Sequence, residues 1–320
     1  VTKGTGTVTL DVNINKDISA TNINNIIDKF DVASGSTLTL SYSQFNGHTG
    51  VGTGTLKLSD TSLTGTQIKS VNDASTNAID LTNVTTISTA TMAEMLEIVN
   101  NTGATFTTAT NYTVTISDTS SASNVNLVVS DTTGTVTATV TADTAANLNA
   151  ALTNATGTDA LTLTINSTST SSANLISLDG KTSVAVGATA ITELTGNATN
   201  IKTALASSGI TTVTNGSLAV TVSGSTSVAD INTINADSAT GIVTATATET
   251  AAATLIGLTT TGTDAITVTM AAASTAAADL NTIDGKTSVT VGATAITELT
   301  GNATDVKTAL ASSGITTVTN

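Results

Sequence analysis

The sequence predicts an α/β solenoid of short strand–helix repeats, with a parallel sheet as one wall and helices as the other. Three observations carry that expectation. A long block of sequence returns almost unchanged further along the chain. A finer alternation of strand-like and helix-like segments runs inside each block. The apolar content is Ala, Val, Ile and Leu, with only five aromatics, Phe30, Tyr42, Phe45, Phe106 and Tyr112. A compact core draws much of its burial from aromatic rings, whereas a thin core built layer by layer needs them far less.

Residues 173–215 (ANLISLDGKTSVAVGATAITELTGNATNIKTALASSGITTVTN) return as 278–320, offset by 105, with 36 of 43 positions identical. Upstream, with single-residue slips, TGTDALTLTI at 156–165 answers TGTDAITVTM at 261–270. TGTVTATVTADTAANL at 133–148 likewise answers TGIVTATATETAAATL at 240–255. The chain therefore divides into a divergent region, 1–110, and two copies, 111–215 and 216–320, produced by duplication. No Pro- or Ser/Gly-rich linker separates 215 from 216, so the copies are expected to form one continuous stack.

Strand-like runs begin near 136, 161, 183, 217, 242, 266 and 288. Between them lie TAANLNAAL (144–152), NATNIKTAL (197–205), VADINTI (228–234) and ADLNTI (278–283). Their apolar residues fall three and four apart, as in Ile201/Ala204/Leu205 and Val228/Ile231/Ile234, which predicts one or two turns of helix. Ser, Thr or Asp tends to precede each as a cap. In the first third, Ile23, Ile26, Ile27 and Phe30 predict a helix ahead of the strand-like Ser36–Tyr42 run. Met92, Met95, Leu96 and Val99 predict another, with the methionines as core filler.

At Asp179-Gly180 and Asp284-Gly285 a hairpin competes with a helix end. Leu280 and Ile283, three apart, favour glycines that terminate helices with left-handed backbone. A strand–helix repeat of 20–29 residues cannot bury its own apolar face and must stack on neighbours. The alternatives are an all-β solenoid, with the helical turns as corners, and tandem immunoglobulin-like sandwiches. The sandwich fits the 105-residue period but not the alanine-rich helical stripes.

The runs AADLNTIDGKTSVTV and ITELTGNATDVKTALASSGI resemble repeats of giant surface or secreted proteins of marine bacteria, cyanobacteria especially. The resemblance covers 111–320 well and the first third poorly. It implies a long extracellular protein of structural, adhesive or motility-related kind, and it implies no catalytic residue. The composition is also similar to that of bacterial surface-layer proteins.

Charge and composition narrow the functions further. The 320 residues carry a net charge of −14, and all nine basic residues are Lys. Without guanidinium forks, an acidic chain is not expected to bind nucleic acid. The absence of Cys excludes disulfides and thiolate metal sites. No apolar run approaches 18 residues, so membrane insertion is not expected. A start at Val1 rather than Met is expected of a processed or cropped N-terminus.

Several residues invite a chemical reading. Gly180-Lys181-Thr182 and Gly285-Lys286-Thr287 look like the tail of a phosphate-binding loop, but leucine (Leu175 and Leu280) stands where its first glycine belongs. His48, the one histidine, lies in Gly47-His-Thr-Gly-Val-Gly-Thr-Gly54, which reads as a flexible glycine-rich loop. Glu94 and Glu97 are three apart, and Glu193 and Glu298 recur once per copy, the pattern of a solvated face. No catalytic or cofactor-binding residue is assigned. Metal ligands are left open, calcium being the ion that an acidic surface repeat would take, although neither D-x-[DN]-x-[DN]-G nor a Gly-Gly pair occurs.

Thr135, Thr137, Thr139 and Thr141 alternate with small apolars, as do Thr244, Thr246 and Thr248. Threonine ladders of this kind solubilise an exposed sheet face, and a flat array would suit ice. Asn197-Ala-Thr and Asn302-Ala-Thr follow from the Thr-rich composition rather than from glycosylation.

The function expected is that of a non-enzymatic structural or adhesive cell-surface repeat protein acting through length and self-association, end to end or side by side. The alternative is a virion or appendage fibre protein that recognises a host or a glycan. A glycan site wants aromatic platforms, which only residues 30–112 can offer. Asn320 falls at the same phase as Asn215, so further repeats, or docking against another copy, are expected there.

Overall fold

Thr37–Leu40 reads Thr-Leu-Thr-Leu and Thr55–Leu58 reads Thr-Leu-Lys-Leu, so each strand presents alternate leucines to one side. The two strands pair in parallel with Leu38 opposite Leu56 and Leu40 opposite Leu58. The register carries on through Ile79 to Phe106, so one column of buried side chains crosses four strands. Apolar groups stacked in register, about 4.8 Å apart, shield one another from water and leave the polar alternates outside. A second column runs Leu63, Ile87, Val114, Val136, and a third runs Leu194, Val220, Val243.

The computed structural model describes residues 6–23, 27–212, 216–237 and 240–316. Every strand pairing among them is parallel. A strand's partner lies some 18 to 27 residues further along, which is the repeat length. The architecture is mixed α/β, with short parallel sheets and helices, and no sheet closes into a barrel among the described residues. An all-β form lacks these helices, and an immunoglobulin-like sandwich pairs its strands antiparallel.

Two compact units partition the chain. The first holds the described residues up to Thr141, with Ala150–Leu163 and Lys181–Val184. It contains a three-stranded sheet starting at Thr9–Val12 and two five-stranded sheets. The second holds Ala142–Asn149, Thr164–Gly180 and the described residues from Ala185 onward. It contains a five-stranded sheet from Ser169–Ser171 to Ala265–Thr267 and three two-stranded sheets. The division falls inside 111–215.

The helices foreseen from apolar spacing are present as Met92–Val99, Ala145–Ala151, Ala198–Ala206, Val228–Asn235 and Ala277–Asp284. Both methionines of the first are buried. Side-chain caps fix most of the N-termini. Thr64 with Gln67 and Thr91 with Glu94 form capping boxes, and Ser227 accepts the amide of Asp230. Ala277–Asp284 departs from the expectation, because Ala276 precedes it and makes no side-chain cap. An acid from the following repeat often caps the first helical amide as well. Asp60 accepts from Tyr42 N at 2.6 Å, Asp118 from Met92 N at 2.7 Å and Glu249 from Val228 N at 3.0 Å.

Three local expectations fail. Phe30 lies in the strand Lys29–Val32, not on a helix, because Phe30 and Val32 alternate with Lys29 and Asp31 and the two-residue period wins. Ile26, part of the same expected stripe, lies outside the described residues. Gly180 and Gly285 do end helices, but in right-handed backbone, φ −69° and −70°. Their amides still bond to the carbonyls of Ile176 and Asn281, so the last turn simply continues, and no hairpin forms. The strands expected near 183 and 288 begin later, at Val186 and Val291, because the intervening residues are engaged in the bridges described below.

The buried columns set the stability of the sheets. Leu56→Ala, at the middle of the first column, is expected to cost about 2–5 kcal/mol in urea denaturation. Leu310→Ala, at a side chain 61% exposed, should change stability by less than about 0.5 kcal/mol. Comparable losses at the two positions would mean that burial in register does not hold the sheets.

Candidate functional site

Thr182 and Thr287, the ends of the two Gly-Lys-Thr runs, are buried and occupy equivalent places in the two copies. Thr182 Oγ1 donates to Leu161 O at 2.7 Å and accepts from the amides of Leu161 and Val184, both at 3.0 Å. Thr287 repeats this with Ile266 O at 2.7 Å, Ile266 N at 2.9 Å and Val289 N at 3.0 Å. Each hydroxyl therefore fills a break in the strand ladder to the preceding repeat. Lys181 Nζ donates to Leu152 O at 2.6 Å. The hydrogen-bond partners of these side chains are backbone groups.

Beside each threonine sits an aspartate that no motif had singled out. Asp159 and Asp264 are each 3% exposed. Asp159 accepts from Val136 N through Oδ1 and from Thr156 N through Oδ2, both at 3.0 Å. Asp264 accepts from Val243 N at 2.9 Å and from Thr261 N at 2.8 Å. Their own carbonyls accept from the amide (2.7 Å) and hydroxyl (2.9 Å) of Ser183 and Ser288. Buried carboxylates are tolerated only when so bonded. One Asp–Thr pair thus ties three successive repeats together. The sequence did carry a signal, TGTDA followed in both copies by GKTS, but it signified packing. A second strut recurs at the helix ends, where Ser207 donates to Asp179 at 2.8 Å and Ser312 to Asp284 at 2.7 Å.

His48 is half-buried, its ring tilted against Phe30 at 5.4 Å, with Nδ1 3.1 Å from the carbonyl oxygens of Phe45 and Asn46. The segment after it is no flexible loop. Thr49–Gly52 is a strand paired with Lys29–Val32. Its glycines permit close approach. A Cβ on Gly54 would overlap the Ala33 carbonyl oxygen, and one on Gly50 would lie 2.7 Å from Ser75 Oγ.

Glu94 and Glu97 do not face each other across a reacting centre, nor are they a freely solvated face. Glu94 accepts from Thr91 N and Thr66 Oγ1, both at 2.8 Å. Glu97 pairs with Lys69 at 2.9 Å and accepts from Asn72 Nδ2 at 3.3 Å. Burial pulls the Glu94 carboxyl upward, but the bonds from Thr91 and Thr66, with Lys69 nearby, outweigh it and hold it below its usual range. Glu193 and Glu298 accept from Thr221 at 3.5 Å and from Ser274 at 3.0 Å. Asp80, held to Lys57 at 3.1 Å and to Thr82, is likewise drawn up by burial and brought below its usual range by those bonds.

The aromatic side chains of 30–112 are mostly interior. Phe30, Phe45, Phe106 and Tyr112 are buried, and Phe30 stacks on Phe45 with ring centres 6.1 Å apart. Tyr112 donates to Asp131 at 2.9 Å, and burial together with that carboxylate pushes its hydroxyl above the usual phenol range. Tyr42 alone is partly exposed. Among the described residues no group of three or more His, Cys, Asp or Glu side chains is arranged to hold a metal ion. None of their helices is long and apolar enough to cross a membrane.

The threonine faces are as the alternation implied. Val136, Ala138 and Val140 are buried while Thr137 and Thr139 are exposed. The ladder between Thr113–Ser120 and Val136–Val140 shifts register between Thr115 and Thr119, and its counterpart in the second copy shifts between Thr221 and Ser225. Bulges of this kind twist a strand and interrupt the even spacing that an ice lattice would demand. One concavity, about 840 Å³, is an open groove along the helices Ala277–Asp284 and Ala303–Ala311. Asn281 Oδ1 is buried in it without a hydrogen-bond partner, but Asn149 Oδ1 is too, each amide spending its Nδ2 on a carbonyl of the next helix. That recurrence marks a scaffold contact. No family model matches the chain, and no curated protein or solved structure matches it either.

Two measurements follow from these bonds. Asp159→Ala and Asp264→Ala should each cost about 2–3 kcal/mol, since two backbone amides, one of them buried, lose their acceptor; denaturation curves matching wild type would refute the strut. Asp80 has a lowered pKa, so its stabilisation is complete above the usual carboxylate range and is lost as the pH falls through its lowered value. Asp80→Asn should therefore be less stable than wild type at neutral pH and converge with it in strong acid. An equal deficit at both pH values would argue against that carboxylate.

Proposed function

We propose that the chain is a non-enzymatic structural or adhesive repeat protein of a cell surface, a solenoid that acts through length and self-association. One observation carries the reading. The side chains with chemical capacity, among them Asp159, Thr182, Glu94 and Glu97, bond from one repeat to the next rather than converging on a cavity. Parallel pairing at one repeat's separation is what a solenoid requires. The surface location rests on the resemblance of 111–320 to giant extracellular repeat proteins and on a composition similar to that of bacterial surface-layer proteins. A glycan-recognising fibre would need an exposed aromatic platform, and the rings of 30–112 are largely inside.

Edge strands of parallel sheets offer unpaired backbone groups, which favour association. The net charge of −14 opposes it over the screening length of about 8–10 Å at moderate salt. Sedimentation should therefore show larger species as salt is raised. A strict monomer at high protein concentration in both low and high salt would refute self-association. A hydrolytic activity lost on joint replacement of His48, Glu94 and Glu97 would refute the non-enzymatic reading.

A further inference from the structure

We draw no further inference here: the strongest candidate, the open groove of about 370 Å³ lined by Lys29, the start of the strand Thr49–Gly52 and Asp73–Thr76, has its Asp73 carboxylate spent on Lys69 and its Thr76 hydroxyl on the Gly52 carbonyl, and nothing in the structure shows what occupies it.

Discussion

The constraint on which the rest depends is the in-register parallel ladder. A strand paired in parallel cannot turn straight back on its partner; it needs a crossover, and the short capped helices supply one within about two dozen residues. Once Leu38, Leu56, Ile79 and Phe106 share a column, the neighbouring positions are fixed too. Polar alternates must face outward, and each helix must begin where its strand ends. A slip of one residue would send every leucine of a column into solvent. Small aliphatic side chains suffice because each buries against its own counterpart above and below.

The ladder also accounts for the chemistry of the polar residues. Threonine hydroxyls repeatedly donate to a backbone carbonyl of the preceding repeat, as Thr85 does to Thr61 O, Thr192 to Thr168 O and Thr316 to Val291 O. Thr182 and Thr287 go further and stand in for a missing rung. The threonine content therefore reflects more than β propensity. A hydroxyl on a β-branched stem can fill a strand position and bond to the neighbouring strand at once. Carboxylates divide the remaining work, some capping the helix of the preceding repeat and others bridging strand starts.

Much of this was legible in the sequence, and the limits have physical causes. Three-and-four spacing located Val228–Asn235 and Ala277–Asp284 because a helix buries one stripe wherever it lies. It misled at Phe30, where the strand period of Phe30 and Val32 coincided with a helical interval from Ile23 to Ile27. The right-handed ends at Gly180 and Gly285 were hidden because glycine permits either hand and the bond of its own amide to a carbonyl four residues back decides. Asp159 looked like any loop acid, since its partners Val136 and Thr182 lie more than twenty residues to either side. Local patterns reveal which face an element buries. They do not reveal which distant backbone group a side chain will meet.

The spread of those partners bears on how such a chain can lengthen. Asp159 draws on the repeat before it and the repeat after it. Had a single repeat of about 23 residues been copied alone, Asp159 would have been set beside a following repeat without the Thr182 and Ser183 hydroxyls that meet it, a loss of about 1–3 kcal/mol. A block of several repeats carries the whole set inside itself. The second copy bears this out, because Asp264 finds Val243 and Ser288 where Asp159 finds Val136 and Ser183. The unit that was duplicated in this chain is accordingly the 105-residue block rather than the visible repeat.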